Sequence, residues 1–251
     1  MKYAKKFSSF EDYMTWRTSS NYQIPSVAYC PEESTIVYHK FPVAGEYDYV
    51  DLALPSGTLW ATMNLGAQSS SDPGNYFAWG DLYTQESYIE DYYCFYNGEG
   101  EEYSRYNTSD GLKVLQLSDD VANDSWHGDW HIPTADQWDE LLMNTERTVG
   151  NGGITFTGEN GNSIFLPASG VMNGDALENS SVAFYLSSSI NQAFNRGGGI
   201  DTDYCKLYID DLSNSKPSMD IGPRYYGYAV RPVIGKIRGI VIGPVEEAPL
   251  K

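Results

Sequence analysis

Hydrophobic positions along most of this chain come in short runs, each closed off by Gly, Pro, Asn, Asp or Ser. That texture predicts brief strands and tight turns rather than long helices. Tyr49 to Leu54 and Leu59 to Asn64 flank Pro55-Ser56-Gly57 and read as two strands around a turn. Two stretches carry helical spacing instead. Ser118 is placed to cap a short helix through Ala122. Thr134 and Gln137 form a capping box, in which each side chain satisfies an orphan backbone N–H of the other, opening a helix over Ala135 to Asn144. Trp138, Leu141 and Leu142 then stand at i, i+3 and i+4, a stripe that faces a core. Residues 66–75, 96–111 and 145–163, rich in Gly, Ser, Asn and Glu, are expected as loops, where binding usually concentrates. The expected class is α+β, with short mixed strands, two helices and long loops. After Arg231-Pro232-Val233, the isoleucines at 234, 237, 240 and 242 read equally as a closing strand or as an edge that pairs with another subunit.

The first 45 residues differ in texture. Ser8 and Glu11 form a capping-box pattern, and Phe10, Tyr13, Met14 and Arg17 come next at helical spacing, predicting a short amphipathic helix that ends near Thr18 to Asn21. Pro25 and Pro31 interrupt the next stretch, and Thr35 to His39 alternates as a strand. So short a helix and strand cannot bury their apolar faces alone. Phe10, Tyr13 and Met14 are therefore expected to dock on the main domain or on a partner. Residues 1–45 read as an attachment segment, 46–234 as the main domain, and 235–251 as a C-terminal strand with an acidic tail.

With 251 residues and 41% hydrophobic content, the chain can bury one sizeable core. A formal net charge of -18 argues against a nucleic acid partner, whose phosphates demand Lys and Arg, and against an anionic membrane surface. No apolar run of roughly 7–15 residues stands near Met1, and none of about 18 occurs anywhere. The expectation is a protein made in the cytoplasm that reaches its site without export or membrane insertion. Cys30, Cys94 and Cys205 form an odd set without close spacing, expected as small buried or half-buried thiols.

Templates for chemistry fail one by one. His127 and His131 are four apart, but Gly128 between them and Pro133 after them oppose a helix, so a metal pair is not expected. Asp201 and Asp203 begin like a calcium loop, yet Cys205 takes a ligand position and the closing Glu is missing. Asn195-Arg196-Gly197-Gly198-Gly199 lacks the ending of a phosphate loop. No cofactor is expected. The stretch from Tyr185 to Tyr228 is the most suggestive, because it mixes Ser, Asn, Asp and Tyr with Gly and little aliphatic content. Small polar groups adapt their hydrogen bonds while Tyr supplies rigid contact area, and Tyr faces also stack on sugars. Tyr185, Ser188, Asn191, Asn195, Arg196, Asp201, Asp203, Tyr204, Tyr225 and Tyr226 are the candidate ligand-binding residues.

Five ordered motifs carry a resemblance. Tyr49 to Ala67, Tyr76-Phe77-Ala78-Trp79-Gly80, Trp130-His131-Ile132-Pro133-Thr134, Ile164 to Gly170 and Gly227 to Val233 resemble the Fibrobacter succinogenes major paralogous domain family. The likeness spans about residues 47–233. It implies a C-type-lectin-like fold, similar to formylglycine-generating enzymes and to retroelement-diversified variable proteins of Bacteroides and their phages. Cys205 alone cannot supply the cysteine pair of the former, and the Glu-Pro-Asn and Trp-Asn-Asp calcium triplets of lectins are missing. His131 replaces the Arg usual before Pro-Thr. In the diversified proteins the variable positions fall just before a closing strand, the place that 185–226 occupies here. Trp60, Trp79, Trp130, Pro133, Trp138 and Arg231 are assigned structural roles. The resemblance implies a non-catalytic recognition protein of a phage virion, a fibre or capsid decoration, binding a host-surface glycan or protein. Residues 1–45 would contact other virion proteins, and a homo-oligomer such as a trimer stays open. The alternative is a Bacteroides cell-surface adhesin or lectin without its leader; a lectin-fold enzyme is the third reading.

Overall fold

The computed structural model describes residues 47–98, 103–191, 204–212 and 217–235, together with the backbone of three strands near the N-terminus. The chain divides into two compact units, Val43–Gly235 and a second formed by Met1–Pro42 with Lys236–Lys251. In the second unit Lys5–Lys6 (β1) lies parallel to Ala28–Cys30 (β2), which pairs antiparallel with Thr35–Val37 (β3). The strand expected from Thr35 is thus present. The helix expected around Phe10, Tyr13 and Met14 lies outside the described residues, as does the chain beyond 235, where the Ile237 to Ile242 edge was expected.

The larger unit is mixed α+β, and among its described residues strands predominate over two α-helices. Tyr49–Asp51 (β4) and Leu59–Ala61 (β5) pair antiparallel across the expected turn. Gly57 sits there at φ 71 and donates its N–H to Leu54 O at 2.8 Å, a left-handed position that suits Gly. Tyr76–Phe77 (β6) comes next, then Trp130–His131 (β7). Residues 145–163, expected as a loop, instead form a meander of Thr145–Gly150 (β8), Gly153–Gly158 (β9) and Ser163–Pro167 (β10). The physical reason is local: Asn151 and Gly152 take φ 55 and 75, the two positive values of the turn that best matches strand twist. Val171–Asn173 (β11) and Ala176–Glu178 (β12) make a further hairpin.

Most of the described residues of the polar stretch from Tyr185 onward are strand. Val182–Ile190 (β13), Tyr204–Asp211 (β14), Ser218–Pro223 (β15) and Tyr228–Ala229 (β16) join β6 in a five-stranded sheet of order β15-β14-β13-β16-β6. Val233–Ile234 (β17) closes a second sheet of order β4-β5-β17-β7, bringing both ends of the unit together.

The helix Val121–Trp126 (α1) is capped by Asp120 rather than Ser118, because Ser118 falls inside a preceding 3-10 turn. Asp120 Oδ1 accepts from the Ala122 and Asn123 amides, and its Oδ2 accepts from Ile132 N at 2.8 Å. Burial raises the Asp120 carboxyl to about 6 even though these amides oppose the shift. The helix Ala135–Asn144 (α2) carries the capping box as expected, with Trp138 and Leu141 buried and Leu142 half-buried.

Alternation along β13 and β14 feeds two cores. Leu186, Ile190, Cys205 and Leu207 pack with Trp79, Trp130 and Tyr228. Ala183, Tyr185 and Tyr208 pack with Trp60, Trp138, Leu141 and Phe156. Trp138 stacks on Tyr208 at 4.7 Å between ring centroids and donates its indole N–H to Leu186 O, which fixes α2 against the sheet. All six residues assigned structural roles are buried. Arg231 donates to Asn64 Oδ1, Ala61 O and Phe165 O at 2.7, 2.9 and 2.8 Å, joining three segments; burial lowers its guanidinium to about 10. Cys94 is exposed, unlike the half-buried thiol expected, and Cys205 is buried; both are free.

Candidate functional site

The site grows from an irregularity in β13. Leu186 faces Leu207 and Ile190 faces Cys205, so Ser187, Ser188 and Ser189 stand opposite the single residue Lys206. Such a bulge leaves backbone groups without a ladder partner and re-aims nearby side chains. Several of the freed groups bond to other elements, and Ser189 N donates to Ser187 Oγ within the bulge. Ser187 O accepts from the Trp79 indole at 2.9 Å. Ser188 N donates to Pro133 O, Ser188 O accepts from Leu115 N, and Ile190 N donates to Lys113 O. The bulge thereby draws the 113–115 segment and the start of α2 alongside the sheet. Ser189 Oγ accepts from Ala135 N at 3.1 Å, the first amide of that helix.

Between these elements lies an open cavity of about 500 Å3, lined by Lys113, Val114, Ala135, Asp136, Ser189, Ile190, Asn191 and Lys206. Its volume suits a small ligand. Asn191, a residue proposed from the sequence, stands on its wall. Lys113, Lys206 and Ser189 were missed, and the Ser187-Ser188-Ser189 run opposite one strand residue was the available signal.

A second group gathers at the start of β14. Tyr204 pairs with Pro223 across the β14–β15 ladder, and Tyr225 meets Tyr226 edge to face at 5.2 Å. All three are half-buried. Burial chiefly raises the Tyr225 phenol, and Tyr226, Glu90 and Tyr204 add to it through their proximity. Arg224, next in the chain to Tyr225, is wholly buried, donating to Tyr93 OH at 3.0 Å and lying 4.9 and 4.5 Å from the Trp79 and Tyr103 ring centroids. The cation fixes these inner rings, and Tyr225 packs against the cluster that holds Tyr93 and Tyr103.

Two proposed ligand residues are corrected by the structure. Tyr185 is a core residue, fully buried, with its hydroxyl accepting from Asn64 Nδ2 at 3.1 Å and donating to Pro167 O at 2.8 Å. Ser188 is buried at the bulge, and among the described residues its Oγ has no hydrogen-bond partner. Both point inward because alternation and the bulge commit their positions to packing. Asn195, Arg196, Asp201 and Asp203 lie outside the described residues.

His127 is exposed and ends α1 at φ 60, while His131 Nδ1 sits 3.0 Å from Asp129 O and its Nε2 3.4 Å from Gln137 Nε2. Among the described residues no three His, Cys, Asp or Glu side chains are grouped to hold a metal, and no helix is long and apolar enough to cross a membrane. No protein-family model, curated protein or solved structure matches this chain.

Proposed function

We propose that this chain is a non-catalytic recognition protein, a C-type-lectin-like domain of the Fibrobacter succinogenes major paralogous type displayed on a phage particle. The observation that carries the reading is the convergence of Tyr204, Tyr225 and Tyr226, from two separate stretches, into one half-exposed aromatic group. Half-buried tyrosines on a stiff scaffold present contact area at little entropic cost, which is what a binding face requires. The five motifs of the resemblance support the fold, since their Trp60, Trp79, Trp130, Pro133 and Arg231 are all buried braces of the same unit.

The partner is a glycan or protein of the host surface. Residues 1–45, including Phe10, Tyr13 and Met14, attach the domain to other virion proteins. A glycan and cell-surface binding screen with the full chain tests the face. Binding that Tyr225→Ala abolishes at unchanged melting temperature is the expected result; binding indifferent to Tyr204 and Tyr225 overturns it. Detection of the chain in purified virions tests the location, and recovery solely from a cell envelope would assign it to a surface adhesin.

A further inference from the structure

Cations are scarce in Val43–Gly235, and their distribution is uneven. Its described residues hold six, Arg105, Lys113, Arg147, Lys206, Arg224 and Arg231. Four are committed to the fold. Arg224 and Arg231 are buried braces, Arg105 pairs with Asp119 at 2.6 Å, and Arg147 holds the buried carboxylate of Asp210. The remaining two, Lys113 and Lys206, come from positions 93 residues apart in sequence (206 − 113) and line the same cavity. Among the described residues neither ammonium makes an ion pair within 4.0 Å. Among the described residues Asp136 is the one anionic residue on the wall, so their lining is net positive in a chain of net charge -18. The bulge is the device that places Lys206 there, since Ser187 to Ser189 occupy the stretch opposite it.

The rest of the wall describes the ligand's other groups. Ser189 and Asn191 bring side-chain hydroxyl and amide groups, and Val114 and Ile190 bring apolar surface. A hydroxyl-bearing ring with one anionic substituent fits that combination: the lysines take the anion, the Ser189 O–H donates to a ring hydroxyl, and the aliphatic groups meet the C–H face. We propose that this cavity is a subsite for an acidic sugar residue, bearing a carboxylate or a sulfate ester, within a longer surface glycan. The proposal rests on the reading of the domain as a glycan-recognition module and names the substrate class of a second contact point, apart from the tyrosine group. It also gives the acidic surface a role. Exposed carboxylates elsewhere among the described residues repel an anionic glycan, which favours its approach to this lysine-lined hollow.

The test is titration of the full chain by NMR or calorimetry with glucuronate, galacturonate, glucose 6-sulfate and, as the neutral control, glucose. Saturable binding of an acidic sugar, at least tenfold tighter than glucose and weakened by added salt, is expected. The stronger of the uronates and the sulfate ester identifies the anionic group. Lys113→Gln with Lys206→Gln together should weaken binding at least tenfold at unchanged melting temperature, because neither ammonium braces the fold. Binding that survives the double variant overturns the subsite, and an oligo-glutamate peptide bound as tightly as the sugars overturns its assignment to a glycan. Tyr225→Ala separates the two readings. If glucuronate fails to bind while Tyr225-dependent cell binding persists, the subsite falls and the recognition face stands; lysine-dependent glucuronate binding without Tyr225-dependent cell binding leaves the reverse.

Discussion

Tyr185 and Tyr208 on one side, and Tyr204, Tyr225 and Tyr226 on the other, belong to one Tyr-, Ser- and Asn-rich stretch, yet they are buried to very different degrees. The first pair is fully buried, with hydroxyls bonded to Pro167 O and Asp210 Oδ2 and rings packed around Trp138. The second group is half-buried: Tyr204 opens the β14 ladder, and Tyr225 and Tyr226 pack against the edges of core clusters. Composition is identical in kind across the two. What packs over them separates them: Tyr204 and Tyr208 share one face of β14, but Tyr208 lies against Trp138 and Phe156, whereas Tyr204 opens the strand and Tyr225 and Tyr226 stand in the turn between β15 and β16.

The comparison is sharpest where the packing is densest. Trp138→Ala should destabilise the larger unit by about 3–5 kcal/mol, measured by denaturant unfolding, since it removes the indole between Tyr208 and Trp60. A loss near zero would mean that the inner tyrosines are not held by this core. Asp120→Ala should cost about 2 kcal/mol, from the lost helix cap and the lost tie to Ile132. Asp120 also gives a pH signature. Its folded pKa lies above its unfolded value of 3.8, so its stabilising contribution is complete below 3.8 and declines as pH rises through about 6. Melting temperatures between pH 4 and 7 should show that decline in the parent and lose it in Asp120→Ala.

Tyr185→Phe comes next, at about 1–2 kcal/mol, because the change removes the hydroxyl that donates to Pro167 O and leaves Asn64 Nδ2 with Pro73 O alone. Its ligand binding should be intact. Tyr225→Ala should move stability least, by about 0.5 kcal/mol, and binding most. If these last two variants exchanged effects, the assignment of inner and outer tyrosines would be reversed.

How far the sequence could be read depended on how local each feature is. The Thr134–Gln137 capping box and α2 were legible residue by residue, because capping involves neighbours alone. The turn at Gly57 was equally plain. The β8–β9 hairpin was legible too, in Asn151-Gly152, but the polar composition of 145–163 masked it. The capping of α1 shifted from Ser118 to Asp120 since the latter also reaches Ile132, a contact 12 residues away. Lys113 and Lys206 could not be paired from sequence, because nothing in either neighbourhood announces the other.

The sequence by itself determined the α+β class, the turns, the principal helix and the strong acidity, all set by propensities and charges that act over a few residues. The tertiary structure decided which tyrosines are core and which are surface, since burial depends on which distant elements pack over a position, as Trp138 and Phe156 do over Tyr208, rather than on residue type. It also decided that two lysines meet in one hollow. That meeting depends on a bulge in β13, whose backbone partners, Pro133, Leu115, Lys113 and Trp79, come from across the fold.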